Sequence, residues 1–395
     1  GQAVFANGIT TLAAAGADII VDDIFYFAEP FFQDGIIAQA ADLAVGAGVA
    51  YYTSAGNSSD DSYESIFRDS GMTVSYMNTN DVAVVGQLHD FDPGAGVDTL
   101  QSLSIPANAT FTLTFQWDEP FSSVSAANGG ATEDYDILIT DGVGDIVLTR
   151  SASTIGGDPV EVWQVTAGAG GLNGNFAITR TDQGAQANDN FLKYVFLRAQ
   201  GTTVGEYDTQ SGTSIGHSNA RDAIGVGAAF YQDTPAFGTS PPEKEGFSSF
   251  GNTPILFDVT GARLVTPEVR QAPDFVAPDG SNNTFFGQDA EPDGNPNFFG
   301  TSAAAPNAAA VAALLLEVNP NATPAMINDA LIASAIDMDD PNTPGFDVGV
   351  DAATGAGLIQ ADVAASLLSL DDVLSGTSAG ETIDGLAGND VIGGL

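Results

Sequence analysis

Residues 300–316 constrain the fold more than any other stretch. Gly300-Thr301-Ser302-Ala303-Ala304-Ala305-Pro306 opens an alanine-rich run that ends at Leu316. From Ala308 to Leu316 the run is apolar on every side, which predicts a helix buried inside the fold. Pro306 falls in or near the first turn, where a missing N–H does least harm. Gly300 permits a tight turn before the helix. Ser302 then stands where unpaired N–H groups and the positive end of the helix dipole favour developing negative charge. A hydroxyl so placed can attack a carbonyl and help to hold the oxyanion that results. An ordinary serine cap on a core helix fits the same pattern, so the rest of the chain has to discriminate.

The 395 residues exceed what one hydrophobic core usually organises, and the hydropathy pattern changes twice along them. Residues 1–57 alternate helix and strand: a helix from Ala3 to Ala15, a strand from Asp18 to Phe25, a helix from Ile36 to Gly46 and a strand from Val49 to Thr53. Near-continuous apolar strands of this kind belong to parallel sheets covered on both faces. From about Tyr76 to Phe196 the period becomes two. Runs such as Thr110-Phe111-Thr112-Leu113-Thr114-Phe115, Tyr135 to Ile139, Asp145 to Leu148 and Phe176 to Thr179 are separated by Gly, Asn and Asp turns, the pattern of an antiparallel sandwich. Helix and strand alternation returns at Ala223 to Ala228 and continues through Pro324 to Ala333. The expected fold is therefore α/β, a parallel sheet with helices on both faces built from residues 1–70 and 203–370. An all-β sandwich at 71–202 interrupts it.

Charge narrows the partners. Fifty-one Asp and Glu against nine Lys and Arg give a net charge of −42, which argues against nucleic acid and anionic membrane surfaces as ligands. The acidity reads as a solvated surface suited to salty or calcium-rich surroundings. With no cysteine, disulfides, zinc thiolates and a thiol nucleophile are excluded. No apolar run reaches the length of a membrane span, and residues 1–20 lack the basic segment of a signal peptide, so membrane insertion is not expected. Both ends read like the middles of domains, and the expectation is a longer protein.

The tail is a different kind of sequence. Gly376 to Asp384 and Gly385 to Gly393 are two nine-residue units that match Gly-Gly-x-Gly-x-Asp-x-apolar-x imperfectly, and Gly394-Leu395 opens a third. Gly388, Asp390 and Ile392 fall on their expected positions, while Glu381 replaces Asp in the first unit. Such units resemble the hemolysin-type (RTX) repeats, a resemblance that implies the start of a parallel β-roll binding Ca²⁺ through carboxylate and carbonyl oxygens. Glu381, Asp384 and Asp390 are the candidate ligands. Asp337, Asp339, Asp347 and Asp351, close together before Gly355, offer either a second Ca²⁺ cradle or a solvated acidic loop.

At Ser54-Ala55-Gly56-Asn57 a buried strand ends in an amide side chain, at the strand end where ligands collect in open α/β sheets. An Asn there can donate an N–H to an oxyanion. Together with Ser302 the segment resembles the subtilisin-like serine peptidases. The match runs in order through Ser54 to Asn57, Ile224-Gly225-Val226-Gly227-Ala228, Phe247-Ser248-Ser249-Phe250-Gly251, Pro273-Asp274-Phe275-Val276-Ala277-Pro278, Gly300-Thr301-Ser302 and Gly355-Ala356-Gly357-Leu358-Ile359. The resemblance covers residues 1 to about 70 and 203 to 368. It implies polypeptide substrates, Ser302 as the nucleophile and Asn57 as the oxyanion donor, with Ser54, Ala55, Gly56, Gly300 and Thr301 lining the substrate site. A calcium-dependent, secreted endopeptidase is the function implied.

Three positions depart from the family pattern. Asn307 follows Pro306 where the family usually has His, and Phe25-Tyr26-Phe27 stands where a Ser-Leu-Gly strand usually lines the cleft. The general base and its carboxylate partner are also missing. His89 falls in the β-insert and Gly216-His217-Ser218 lacks the family's His-Gly-Thr pattern, so both histidines are expected in loops or on the surface. Since the family places its Asp and His before the oxyanion segment, the base is expected upstream. The related sedolisins use Glu as the base and carry Asp at the position of Asn57; Asn57 favours the subtilisin branch. A non-catalytic binding or adhesion protein is the alternative, in which the fold survives without its base. The sandwich, with Pro93 to Asp98 and the acidic run Asp134 to Gly142, would then engage a surface polymer or other domains.

Overall fold

The computed structural model describes residues 1–79, 81–149, 153–181, 189–285, 287–368, 373–375 and 391–393. The chain begins with α1 (Gln2–Ala14), β1 (Ile19–Asp22), α2 (Ile36–Gly46) and β2 (Ala50–Ser54), close to the expected elements. β1 stops three residues short of Phe25. The two carboxylates Asp22 and Asp23 end it, and Phe25 to Phe27 form a loop above the sheet edge.

Eleven strands follow and build two antiparallel sheets. They are β3 (Ser62–Ile66), β4 (Asp69–Met77), β5 (Ala83–His89), β6 (Gln101–Ile105), β7 (Thr110–Trp117), β8 (Tyr135–Asp141), β9 (Ile146–Thr149), β10 (Val160–Thr166), β11 (Leu172–Thr181), β12 (Phe191–Arg198) and β13 (Thr203–Val204). One sheet runs β10-β7-β12-β3 and the other β13-β6-β11-β5-β4, with β8 also on β11 and β9 on β8. Alternate residues of both sheets meet in one aromatic core that holds Tyr63, Phe111, Phe115, Trp117, Tyr135, Phe176, Tyr194 and Phe196. Period-two sequences bury one face in this way. The all-β unit starts earlier than residue 71, because β3 supplies the edge of one sheet by pairing with β12. Its Ser-Tyr-Glu-Ser-Ile sequence carries too little apolar alternation to announce a strand. Within the acidic run Asp134 and Asp136 are buried, and Asp134 accepts hydrogen bonds from Thr154 and Thr181.

The chain then returns through β14 (Ile224–Phe230), β15 (Pro254–Phe257), β16 (Arg263–Val269) and β17 (Phe275–Asp279) to α3 (Thr301–Val318), α4 (Pro324–Ser334) and α5 (Ala361–Leu368). β1, β2, β14 and β17 form a parallel sheet in that order. Adjacent residues of β2 face opposite sides. Tyr52 joins Val226, Phe275 and the alanines of α3, while Tyr51 joins Ile9 of α1 and Ile37 and Ala41 of α2. Alanine at positions 304, 305, 308 and 312 lets α3 lie close on the sheet. The helix is not buried all round: Ala310 and Ala313 are exposed and Leu314 is 57% exposed, so apolar composition overstated its burial. Its mean hydropathy and length match a membrane span, but one face is the core of this sheet.

Residues 373–375 and 391–393 pair as parallel strands with Val373 opposite Val391. Glu381, Asp384 and Asp390 lie outside the described residues.

Candidate active site

Ser302 is the second residue of α3, at the carboxyl end of the parallel sheet. Gly300 precedes the helix with φ at +120°, a conformation that a residue with Cβ rarely adopts. An ideal Cβ there would lie 3.3 Å from Asn57 Nδ2 and 3.6 Å from Ser302 Oγ, in space both groups border. The Gly300 amide donates to the buried Asp279 at 2.6 Å, which ties the turn to the end of β17.

Asn57 is held by Thr301. Its Oδ1 accepts from the Thr301 amide at 3.0 Å and from the Thr301 hydroxyl at 2.9 Å, and the same hydroxyl accepts from the Gly56 amide at 3.2 Å. With Oδ1 occupied by two donors the amide has one orientation, and Nδ2 borders the same space beside Gly300 as Ser302 Oγ. Gly56 cannot be replaced without strain, since its φ is +108° and a Cβ would come within 2.8 Å of Ser249 Oγ.

Ser302, Asn57, Thr301, Gly56 and Ser54 border one cleft of about 290 Å³. The Ser54 hydroxyl donates to Asp23 at 3.2 Å. Ala55, expected among the lining residues, is fully buried with its amide on the Val226 carbonyl, so it supports the cleft from behind. Phe25 and Phe27 border the same cleft with their rings 6.3 Å apart. Asn307 donates to the Pro278 carbonyl at 2.8 Å, a role that anchors the first turns of α3 to β17.

Neither histidine faces Ser302, and neither is at the surface. His89 is buried in the sandwich, where Nδ1 accepts the Arg68 amide at 3.0 Å and Nε2 meets the Tyr63 hydroxyl at 2.8 Å. Burial, aided by the Arg68 charge, pushes its pKa down to about 3. His217 is buried behind the cleft. Nδ1 lies 2.9 Å from both oxygens of Glu29 and Nε2 3.1 Å from Asp22. Burial alone would discharge this ring; the Glu29 carboxylate and then Asp22 outweigh it and hold the pKa up at about 10. His217 is thus an imidazolium between two carboxylates. Asp22 also accepts from Thr53 at 2.9 Å and from the Tyr51 hydroxyl. Asp22, Glu29 and Asp279 were not singled out in the sequence; two adjacent carboxylates, Asp22 and Asp23, inside the strand expected over Asp18 to Phe25 were the available signal.

The acidic loop does not assemble a metal site. Asp337 accepts the Gly349 amide, Asp339 the Asp347 amide, and Asp351 the amides of Ala353 and Thr354. These carboxylates close turns, and among the described residues no three acidic or histidine side chains converge on a common point. The residues present there do not fit a Ca²⁺ cradle.

The sandwich reaches the cleft. Thr114 of β7 donates to the Phe27 carbonyl at 2.7 Å, and Leu197, Arg198 and Thr213 complete the cleft's border. Phe31 and Phe32, just beyond the cleft loop, share an apolar cluster with Val195 and Leu197 of β12 and with Leu256 and Phe257 of β15.

Comparison with known proteins supports this arrangement at the level of fold and family. The CspB protease of Clostridium perfringens superposes over 93% of this chain and 70% of its own, with a TM-score of 0.53 and 14% identity. MycP1 with its N-terminal propeptide removed aligns over 92% of this chain and 66% of its own at a TM-score of 0.35 and 15% identity. The self-cleaved protease domain of PatA aligns over 93% and 68% at 0.36 and 15%. No curated protein sequence matches the chain. The Peptidase S8 profile, described as the subtilase family, matches residues 11–357, a span that holds the parallel sheet, the Asn57 strand end and the Ser302 helix. With the profile spanning both ends of the sheet and the fold in agreement, the chain belongs to the subtilase family of serine peptidases.

Proposed function

We propose that the chain carries the catalytic centre of a secreted serine endopeptidase in which Ser302 attacks the scissile carbonyl and Asn57 Nδ2 stabilises the tetrahedral oxyanion. The observation that supports this reading is the pair of hydrogen bonds that Thr301 donates to Asn57 Oδ1, which leaves Nδ2 as the free donor beside Gly300 and Ser302. A preorganised donor of this kind acts on the charge that develops in the transition state. The start of α3 adds its free N–H groups and dipole at the same place. The proton of Ser302 passes to a base outside the described residues, because both histidines are committed to buried networks. Those committed histidines also favour the second reading, a non-catalytic binding protein built on the peptidase fold.

A serine-directed fluorophosphonate probe distinguishes the two. The full-length protein is expected to be labelled at Ser302 and to cleave denatured protein, with both lost in Ser302→Ala. A folded full-length protein that is neither labelled nor active establishes the binding reading instead. For the tail we propose Ca²⁺-binding repeats with ligands at Glu381, Asp384 and Asp390. The support is the parallel pairing of 373–375 with 391–393, 18 residues apart, which equals two nine-residue units per coil turn. Addition of Ca²⁺ to the full chain should then raise β-structure by circular dichroism. An unchanged spectrum would contradict the repeats.

A further inference from the structure

Arg198 is the one Lys or Arg among those described whose side chain has no hydrogen bond or ion pair. The other described cations are engaged: Arg68 on Ser65 and Phe91, Arg180 on Asp189, Lys193 on Glu64, Arg221 on Glu268, Lys244 on Ser248, Arg263 on Asp118 and Arg270 on Asp34. In a chain of −42, a guanidinium with no side-chain partner at all stands apart from the other described cations. It stands at the last position of β12, exposed, on the border of the cleft that contains Ser302 and Asn57.

The neighbours of Arg198 define what would satisfy it. Phe25 and Phe27 border the same cleft and are about one-third exposed, which suits the methylene part of a side chain. Asp23 is the one carboxylate on the border, and it is occupied by the Ser54 hydroxyl rather than by Arg198. A ligand with an apolar stem and an anionic tip matches this set. Arg198 also has a fixed origin. Lys193, Tyr194 and Phe196 of the same strand are buried, and β12 is paired to β7, whose Thr114 grips the Phe27 carbonyl.

We propose that Arg198 is a specificity-determining residue, supplied by the inserted sandwich, that reads a substrate carboxylate beside the scissile bond, Glu above all. The proposal rests on the peptidase reading above and names its substrate class. Long-range repulsion by the −42 surface opposes anionic peptides in general, so Arg198 acts as a local exception and selects where the acidic residue lies.

The test uses the full-length protein and pairs of internally quenched peptides of one composition, with Glu and Gln exchanged between the position beside the cleaved bond and a distal one. Net charge is then equal within each pair. Wild type should favour the proximal Glu isomer by about tenfold in kcat/KM, as for a hydrogen bond to a charged group. Raising salt should narrow the gap. Arg198→Gln should abolish it, and Arg198→Glu should reverse it for Lys-containing isomers. Arg198 is exposed, and thermal melting checks that the variants fold. C-terminally amidated and free-acid versions separate the side-chain carboxylate from a chain-terminal one; a preference seen with free acids alone overturns the proposal. Affinity of Ser302→Ala for the same amidated pairs, read by fluorescence anisotropy, gives a second measurement that needs no catalysis. Loss of all cleavage with the Glu preference retained in binding defeats the peptidase reading and leaves Arg198 as assigned. Cleavage or binding that ignores the exchange, or that keeps the preference in Arg198→Gln, defeats the assignment itself.

Discussion

Gln116 of the sandwich pairs with the backbone on both sides of Pro30: its Oε1 accepts the Phe31 amide at 2.9 Å and its Nε2 donates to the Glu29 carbonyl at 2.7 Å. The side chain is fully buried, and it mimics a strand's hydrogen bonds across the joint between the two parts of the chain. Glu29 is in turn the residue that holds His217, and Phe27 borders the cleft. The insert is therefore mechanically continuous with the substrate site. Phe31, Phe32, Leu256 and Phe257 would also lose their apolar cover from Val195 and Leu197 if it were removed.

Gln116→Ala leaves an N–H and a carbonyl buried without partners, at about 1–3 kcal/mol for each. A fall in thermal stability is expected, together with a rise in KM that exceeds any change in kcat, because the loop carrying Phe27 loses its brace. Unchanged stability and KM in this variant would mean that the contact is incidental.

Asn57→Asp is sharper than Asn57→Ala as a test of the oxyanion donor. Aspartate keeps an oxygen for Thr301 and so preserves the local scaffold, yet it removes the N–H and places a negative charge where charge develops. A loss of about 10²–10³ in kcat, at least that of Asn57→Ala, is expected with little change in KM. An effect confined to KM would remove Asn57 from the transition state.

Much of this was legible in the sequence, and the failures have physical causes. The helix Ile36–Gly46 is where its apolar period put it, and the Asn57 and Ser302 segments meet because each sits at a strand end or helix start whose direction the α/β pattern dictates. Burial of α3 was overstated because alanine is apolar without demanding cover. The burial of His217 escaped the sequence because its partners are distant: Glu29 is 188 residues away and Asp22 is 195. Nothing in local sequence marks such pairs. The acidic loop around Asp337 to Asp351 left two readings open in the sequence, since carboxylates that close turns share the composition of a cation site.

His217 gives the stability curve an alkaline limb. Its pKa is raised from 6.5 to about 10 in the fold, so its contribution is fully present below 6.5, declines as pH rises beyond that value and is lost once pH passes about 10. Replacement by Gln leaves Asp22 and Glu29 buried with no cation, a change of the kind that costs about 3–5 kcal/mol. Urea denaturation across this range should show the wild type losing stability relative to His217→Gln as pH rises. Parallel curves for the two proteins would show that the ring is neutral in the fold.

Asp279 acts in a lower window and on the Gly300 turn that precedes Ser302. Burial first, opposed by the Gly300 amide and supported by the Glu245 charge, raises its pKa from 3.8 to about 7. Its Oδ1 has no partner, so ionisation places a charge in a pocket that answers it at one oxygen only. The sign follows: the protonated carboxyl stabilises the fold fully below 3.8, and that contribution is lost as pH rises through about 7. Asn at 279 keeps an oxygen for the Gly300 amide and cannot ionise. Asp279→Asn should therefore lose less melting temperature than wild type as pH rises from 3.8 through about 7, with the Gly300 turn intact and fluorophosphonate labelling of Ser302 preserved. An equal loss in both proteins would mean that Asp279 is already ionised at low pH. A variant that keeps its alkaline stability but is no longer labelled would show instead that the Gly300 turn needs the charge, and not only the oxygen, to present Ser302.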